Sequence, residues 1–134
     1  MAQGRIMNRP ADYQKLGINP DKVENWEDGR RDNDEAGHAE VWYLDCSLDD
    51  GSTLILGFRP KSTDQVVNKG DNPNVAINYT SADGQPFYDY RLYDVKDAYS
   101  SKDQLDLKWG PSTLVGDNWR NYDIHIEPEA DQEL

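Results

Sequence analysis

The sequence predicts an all-β fold, an antiparallel barrel or strongly curved sheet that follows an irregular N-terminal arm. Two observations favour it. Apolar and polar side chains alternate over several short runs after residue 38, and Asp-Gly pairs, which favour tight hairpin turns, separate some of these runs. A third observation is that no convincing helical pattern lies between the runs. An antiparallel meander is therefore expected rather than strands alternating with helices.

Length and composition fit a single folded unit. The chain has 134 residues, of which 36% are hydrophobic and 10% aromatic, including eight Tyr and four Trp. Disordered segments are poor in aromatic residues, and each buried ring removes about 150–250 Å² from water. We therefore expect a core that depends on large rings.

Residues 1–37 are predicted to form the arm, and residues 38–134 a single β domain. Apolar side chains occur only sporadically in the arm, and residues 26–38 are rich in Asp and Glu, which predicts a solvated loop. Asp21 is placed to cap one short helical turn over residues 22–26.

Six strands are predicted in the β domain, most of them joined by short turns. Asp49-Asp50-Gly51 and Asp83-Gly84 supply two of these turns, because glycine accepts a positive φ at little cost. The predicted strands are residues 41–48, 52–59, 74–80, 86–95, 104–109 and 119–128, with 112–115 as a brief continuation of the fifth. In the last strand the alternation predicts that Tyr122, Ile124 and Ile126 point inward.

The charge balance excludes several classes of partner. The formal net charge is −12, and no basic cluster extends beyond Arg30-Arg31, so a nucleic-acid binder is not expected. No apolar run approaches the ~20 residues of a membrane span, and no secretory leader is visible. These features favour a cytoplasmic location.

No metal or cofactor is expected. His38 and His125 have no metal-ligand spacing, and the acidic loop that begins at Asp32 resembles a calcium loop but has Ala36 and Tyr43 where oxygen ligands are needed. Cys46 is the single cysteine and falls on the apolar face of the first strand, which predicts a buried thiol.

Aromatic residues are concentrated on the predicted strands, and this distribution has two interpretations. They fit core packing, since aromatic residues favour strands, and they also fit the wall of a ligand cavity. On the second interpretation the expected ligand-binding residues are Trp42, Tyr43, Tyr88, Tyr90 and Trp109.

The order of several motifs resembles a known family. They are Ala39-Glu40-Val41-Trp42-Tyr43-Leu44-Asp45, the two Asp-Gly turns, the corner Leu107-Lys108-Trp109-Gly110-Pro111-Ser112, and Tyr122-Asp123-Ile124-His125-Ile126. Together they are similar to the first lipocalin-like domain of the hydroxyneurosporene synthase (carotenoid hydratase) and AttH-like group. The resemblance implies a lipocalin-like barrel. Fuller members of that group are similar to tandem barrels, so the chain looks like one half of such a protein.

Three functions follow from the resemblance and the residues together. The first is a binding module for a small hydrophobic molecule. The second is a hydratase, isomerase or cyclase acting on an apolar, isoprenoid-like substrate, with Asp45 or Asp89 as the nearest candidate acids. The third is a structural half that needs a partner domain. Because six strands leave two sheet edges open, a homodimer is also expected.

Overall fold

The computed structural model describes residues 4–117 and 119–127, and within them eight strands form two antiparallel four-stranded sheets. The first sheet has the order β1-β2-β3-β4, and the second has the order β5-β6-β7-β8. The strands are β1 Trp42–Ser47, β2 Thr53–Arg59, β3 Asn74–Thr80, β4 Pro86–Leu92, β5 Ala98–Ser100, β6 Asp106–Trp109, β7 Ser112–Asp117 and β8 Asn121–His125.

The prediction of an all-β fold is confirmed, whereas the number of strands was wrong. β5 was missed because three residues are too few to show an alternating pattern. Residues 112–115, predicted as a brief continuation, belong to a full strand, β7. Among the described residues no strand ladder joins β4 to β5 or β8 to β1, so the eight strands form two open sheets and not a closed barrel.

The core lies between the two sheets. Cross-strand pairing aligns Trp42, Phe58 and Val75 on one face of the first sheet. The second sheet brings Trp109 against this row, with ring centroids 5.3 Å from Phe58 and 6.5 Å from Trp42, the latter edge to face. Such aromatic pairs contribute about 0.5–1.5 kcal/mol beyond the area that they bury.

Burial decreases along β1, and one residue-level prediction fails for this reason. Trp42 is buried, but the strand is exposed from Asp45 onward, because its far end extends beyond the core. Cys46 shares the inner face with Trp42 but is exposed, so the predicted buried thiol was wrong.

The arm is more regular than predicted and is tied to the sheets. It contains an α-helix, α1 (Pro10–Leu16), and a 3-10 helix at Asn25–Asp28, where a helical turn over residues 22–26 was expected. Arg30 forms two hydrogen bonds to Asp71, of 2.7 and 2.8 Å, and its backbone N–H donates to Ser101. The hydrogen bonds to Asp71 raise the pKa of Arg30 further, so the guanidinium stays charged at every accessible pH.

No helix among the described residues is both long and apolar enough to cross a membrane. Apart from Glu127, the acidic ending at residues 127–133 lies outside the described residues, as does the last residue of the predicted strand 119–128.

Candidate functional site

An open cleft of about 520 Å³ lies beside β1, one of the two edge strands of the first sheet. Five consecutive residues, 41–45, line one side of it. Leu105, Leu114 and Tyr122 line the other side, and Asp28 of the arm completes it. The cleft exists because no strand of the described residues pairs with the free edge of β1. The space is large enough for a small ligand, since such pockets commonly measure about 300–1,000 Å³.

The walls of the cleft are largely apolar. Leu114 is fully buried and Leu105 is 3% exposed, so the floor belongs to the hydrophobic core. Val41 at the rim is 45% exposed. An apolar molecule bound here would therefore pack directly against side chains of the hydrophobic core.

Two polar groups meet at one end of the cleft. The Tyr122 hydroxyl donates a hydrogen bond to Asp28 Oδ2 at 3.2 Å. The Trp42 indole N–H donates to the Asp28 backbone carbonyl at 2.9 Å, which fixes the arm against β1. Asp28 is therefore held by two residues that belong to different sheets.

Burial sets the protonation preferences of this pair. It raises the pKa of the Asp28 carboxyl above its ordinary value, and the Tyr122 hydrogen bond offsets part of that effect. Burial, followed by the nearby Asp28 carboxylate, raises the pKa of the Tyr122 hydroxyl. The pair thus favours uncharged groups, as expected where water is partly excluded.

The five predicted ligand-binding residues do not share one site. Trp42 and Tyr43 line the cleft, whereas Trp109 is 1% exposed and packs in the core. Tyr88 and Tyr90 line a separate groove of about 250 Å³ at β4. They lie apart because alternation along β4 turns both tyrosines to the face of the first sheet opposite Trp42.

The two candidate acids lie in different environments. Asp45 lines the cleft and is exposed. Asp89 is buried on the inner face of β4, where Arg91 Nε donates to it at 2.5 Å, and Arg91 also contacts the Glu127 carbonyl oxygen. Asp89 is therefore an ion-paired carboxylate outside the cleft.

Sequence reasoning missed Asp28 altogether. Its run of acidic residues was interpreted as a solvated loop, and no local motif marks the one carboxylate that turns inward. Tyr122 was predicted to point inward with Ile124 and Ile126, and both isoleucines do pack against the core. The alternating pattern along β8 was therefore the sequence signal for Tyr122, whereas no such signal marked Asp28.

Within residues 4–117 and 119–127, no group of three or more His, Cys, Asp or Glu side chains is placed to hold a metal ion. Comparisons with family models, curated proteins and solved structures find no match to this chain.

Proposed function

We propose that this protein is a binding module for a small hydrophobic molecule and that the cleft beside β1 holds the ligand. The observation that carries the proposal is the combination of a mainly apolar lining with one hydrogen-bonded polar pair at its end, while the other carboxylate of the lining, Asp45, is exposed to solvent. Leucine and valine side chains supply the wall, and Asp28 with Tyr122 supplies the polar end. Small-molecule sites commonly combine a mainly apolar lining with a few convergent polar groups.

The order of the strands supports the lipocalin-like interpretation. Each strand pairs with its sequence neighbour within the two sheets, and lipocalins are up-and-down barrels of eight strands. In this chain the β4 to β5 and β8 to β1 ladders that such a barrel needs are both absent from the described residues, and the cleft lies beside β1. The opening thus gives a ligand a route to the apolar floor.

Charge disfavours an anionic ligand. The chain carries a formal net charge of −12, and Asp28 and Asp45 both line the cleft. A fatty-acid carboxylate would meet repulsion there, whereas a neutral molecule would not. A single hydroxyl or carbonyl group on the ligand could hydrogen-bond to Asp28 or Tyr122.

Binding of the neutral fluorescent dye Nile red tests the proposal. We expect its emission to increase with the wild-type protein and to increase far less with Val41→Asp, because the substitution places a charge in the apolar rim. Val115→Asp is the matched control, since Val115 is similarly exposed, at 38% against 45% for Val41, and does not line the cleft. Equal dye binding by both variants would refute the proposed site.

A second function, acid-assisted hydration of an alkene, is supported by the environment of Asp28. A carboxyl group whose pKa is raised by burial can donate a proton to a carbon–carbon double bond. Water would then add to the resulting carbocation and return a proton to the carboxylate. Mass spectrometry after incubation with the isoprenoid alkene myrcene should show a product heavier by one water. Asp28→Asn should abolish that product while it retains Nile red binding.

A further inference from the structure

A second cavity, of about 670 Å³, lies where the arm meets the β5–β6 loop and the β7–β8 turn. It shares no lining residue with the cleft beside β1. Trp26 of the arm and Trp119 of the turn both line it. It is therefore a separate site from the cleft proposed above to bind a hydrophobic ligand.

The two tryptophans are held in different ways. The Arg31 guanidinium lies 5.0 Å from the centroid of the Trp26 ring, which fixes that indole. Trp119 is 43% exposed and has φ +62°, the sole positive φ of a non-glycine residue among the described residues. A bulky residue in this region is a backbone outlier that glycine would relieve. The turn therefore keeps an exposed indole at a cost in stability.

Three solvent-exposed polar side chains with no protein hydrogen-bond partner among the described residues also line the cavity. They are Asn25, Asp103 and Arg120. Arg120 offers only donors, Asp103 only acceptors, and Asn25 both. Lys22 and Glu24, also in the lining, form an ion pair at 2.9 Å. The cavity thus presents donors and acceptors beside aromatic surface, without an excess of positive charge.

We propose that this cavity binds a neutral saccharide. A pyranose ring has an apolar C–H face that packs on an indole, and its hydroxyl groups both donate and accept hydrogen bonds. Its two kinds of surface therefore match the two kinds of group in the lining, the indoles and the polar side chains. A phosphorylated or carboxylated ligand is disfavoured by the net charge of −12. A purely aromatic ligand would pack on the tryptophans but would form no hydrogen bonds with these polar side chains, which would stay hydrated.

The arm is fixed tightly enough to form one wall of such a site. Gly29 directly follows the 3-10 helix that contains Trp26, and its Cα lies close to the backbone of Lys102 and Gln104. Arg30 N donates to Ser101 O at 2.8 Å on the same side. Because these contacts join the arm to the loop that carries Asp103, the two walls keep their spacing without ligand.

Titration of the 15N-labelled protein with maltohexaose, cellohexaose, xylohexaose and mannohexaose tests the proposal. We expect at least one saccharide to shift the indole N–H resonances of Trp26 and Trp119. Trp119→Gly should weaken its binding about tenfold, the upper range for one aromatic contact. The same variant should melt at an unchanged or higher temperature, since the positive φ suits glycine. Arg120→Gln should also weaken binding.

Tyr99→Ala is the control, because Tyr99 is also an exposed ring, at 54% against 43% for Trp119, and lies outside the cavity lining. It should bind the saccharide like the wild type. The proposal is overturned if none of the four saccharides shifts either indole resonance, or if Trp119→Gly and Arg120→Gln bind as the wild type does. Binding of a hexaproline peptide in place of every saccharide would also overturn it, because the ligand class would then be wrong.

Discussion

A single buried residue, Lys61, anchors the long loop between β2 and β3. Its side chain is almost fully buried, with the residue 1% exposed, and its ammonium donates to the backbone carbonyls of Asp34, Glu35 and Asn68 at 2.9–3.4 Å. No carboxylate pairs with it among the described residues. One lysine thus satisfies three carbonyl oxygens from two separate segments.

Lys61→Met should lower the free energy of unfolding by about 2–3 kcal/mol, because the stem still packs but the carbonyl oxygens lose their donor. Urea denaturation monitored by tryptophan fluorescence measures this change. Lys69→Met is the matched control: Lys69 forms an exposed ion pair with Glu35, and such pairs contribute about 0–1 kcal/mol. Equal midpoints for the two variants would contradict the role given to Lys61.

Asp28 should make ligand binding in the cleft depend on pH. Burial already raises the pKa of this carboxyl, and a neutral ligand that displaces water would raise it further. The protonated form therefore binds more tightly. Affinity for Nile red should be highest while Asp28 is protonated in the free folded protein, and should fall as pH rises through its raised pKa.

Dye titrations across this range, with Asp28→Asn and Asp45→Asn as comparisons, measure that dependence. The amide that Asp28→Asn introduces does not ionise, so the decrease in affinity with rising pH should be lost in that variant and kept in Asp45→Asn. A decrease that survives Asp28→Asn would assign the titration to another group.

Gly29 lies where the arm contacts the β5–β6 loop of the second sheet. A Cβ at this position would lie 2.8 Å from the Lys102 carbonyl carbon and 2.9 Å from its oxygen. Both atoms belong to the backbone, so they cannot move aside as a flexible side chain would. Gly29→Ala should therefore displace the arm and destabilise the fold by about 1–3 kcal/mol, the usual cost of overpacking.

Hydrogen exchange of the Arg30 amide reports this displacement directly, because that amide donates to Ser101 O in the native contact. Exchange should accelerate in Gly29→Ala. Gly4→Ala is the control, since a Cβ at Gly4 meets no atom within 4 Å. Unchanged protection of Arg30 in both variants would mean that the close approach tolerates a methyl group.

The strands were largely predictable, whereas the arm was not. β3 was predicted with the same bounds, because Val75, Ile77 and Tyr79 alternate with smaller or polar residues. The helix α1 was missed, although Pro10 at its first turn and Gly17 after its end, with φ +70°, are typical boundary residues. Its seven residues carry no continuous apolar stripe, so the boundary residues were the available evidence.

The candidate site was less predictable than the sheets because it depends on distant contacts. Strand periodicity identifies which residues of β1 can face the core, but it does not show which strand stays unpaired. Nor does it show that an arm carboxylate reaches Tyr122, since these residues are 94 positions apart. Pairing between sheets and contacts from the arm are set by the whole molecule.

The charge of the whole molecule and its open edges act in opposite directions on self-association. Two four-stranded sheets leave β1, β4, β5 and β8 as edge strands, and unpaired edges are templates for pairing with another chain. This replaces the argument from six strands as the reason to expect a homodimer. The net charge of −12 opposes contact between two copies.

We therefore expect a homodimer that strengthens with salt. At about 0.15 M ionic strength the Debye length is ~8 Å, and at 1 M it is ~3 Å, so added salt screens the repulsion while the edge strands stay available. Sedimentation equilibrium at the two salt concentrations measures the effect. A reductant is needed throughout, because Cys46 is exposed and could link two chains through a disulfide. A monomer at both salt concentrations would show that the edges are protected well enough without a partner.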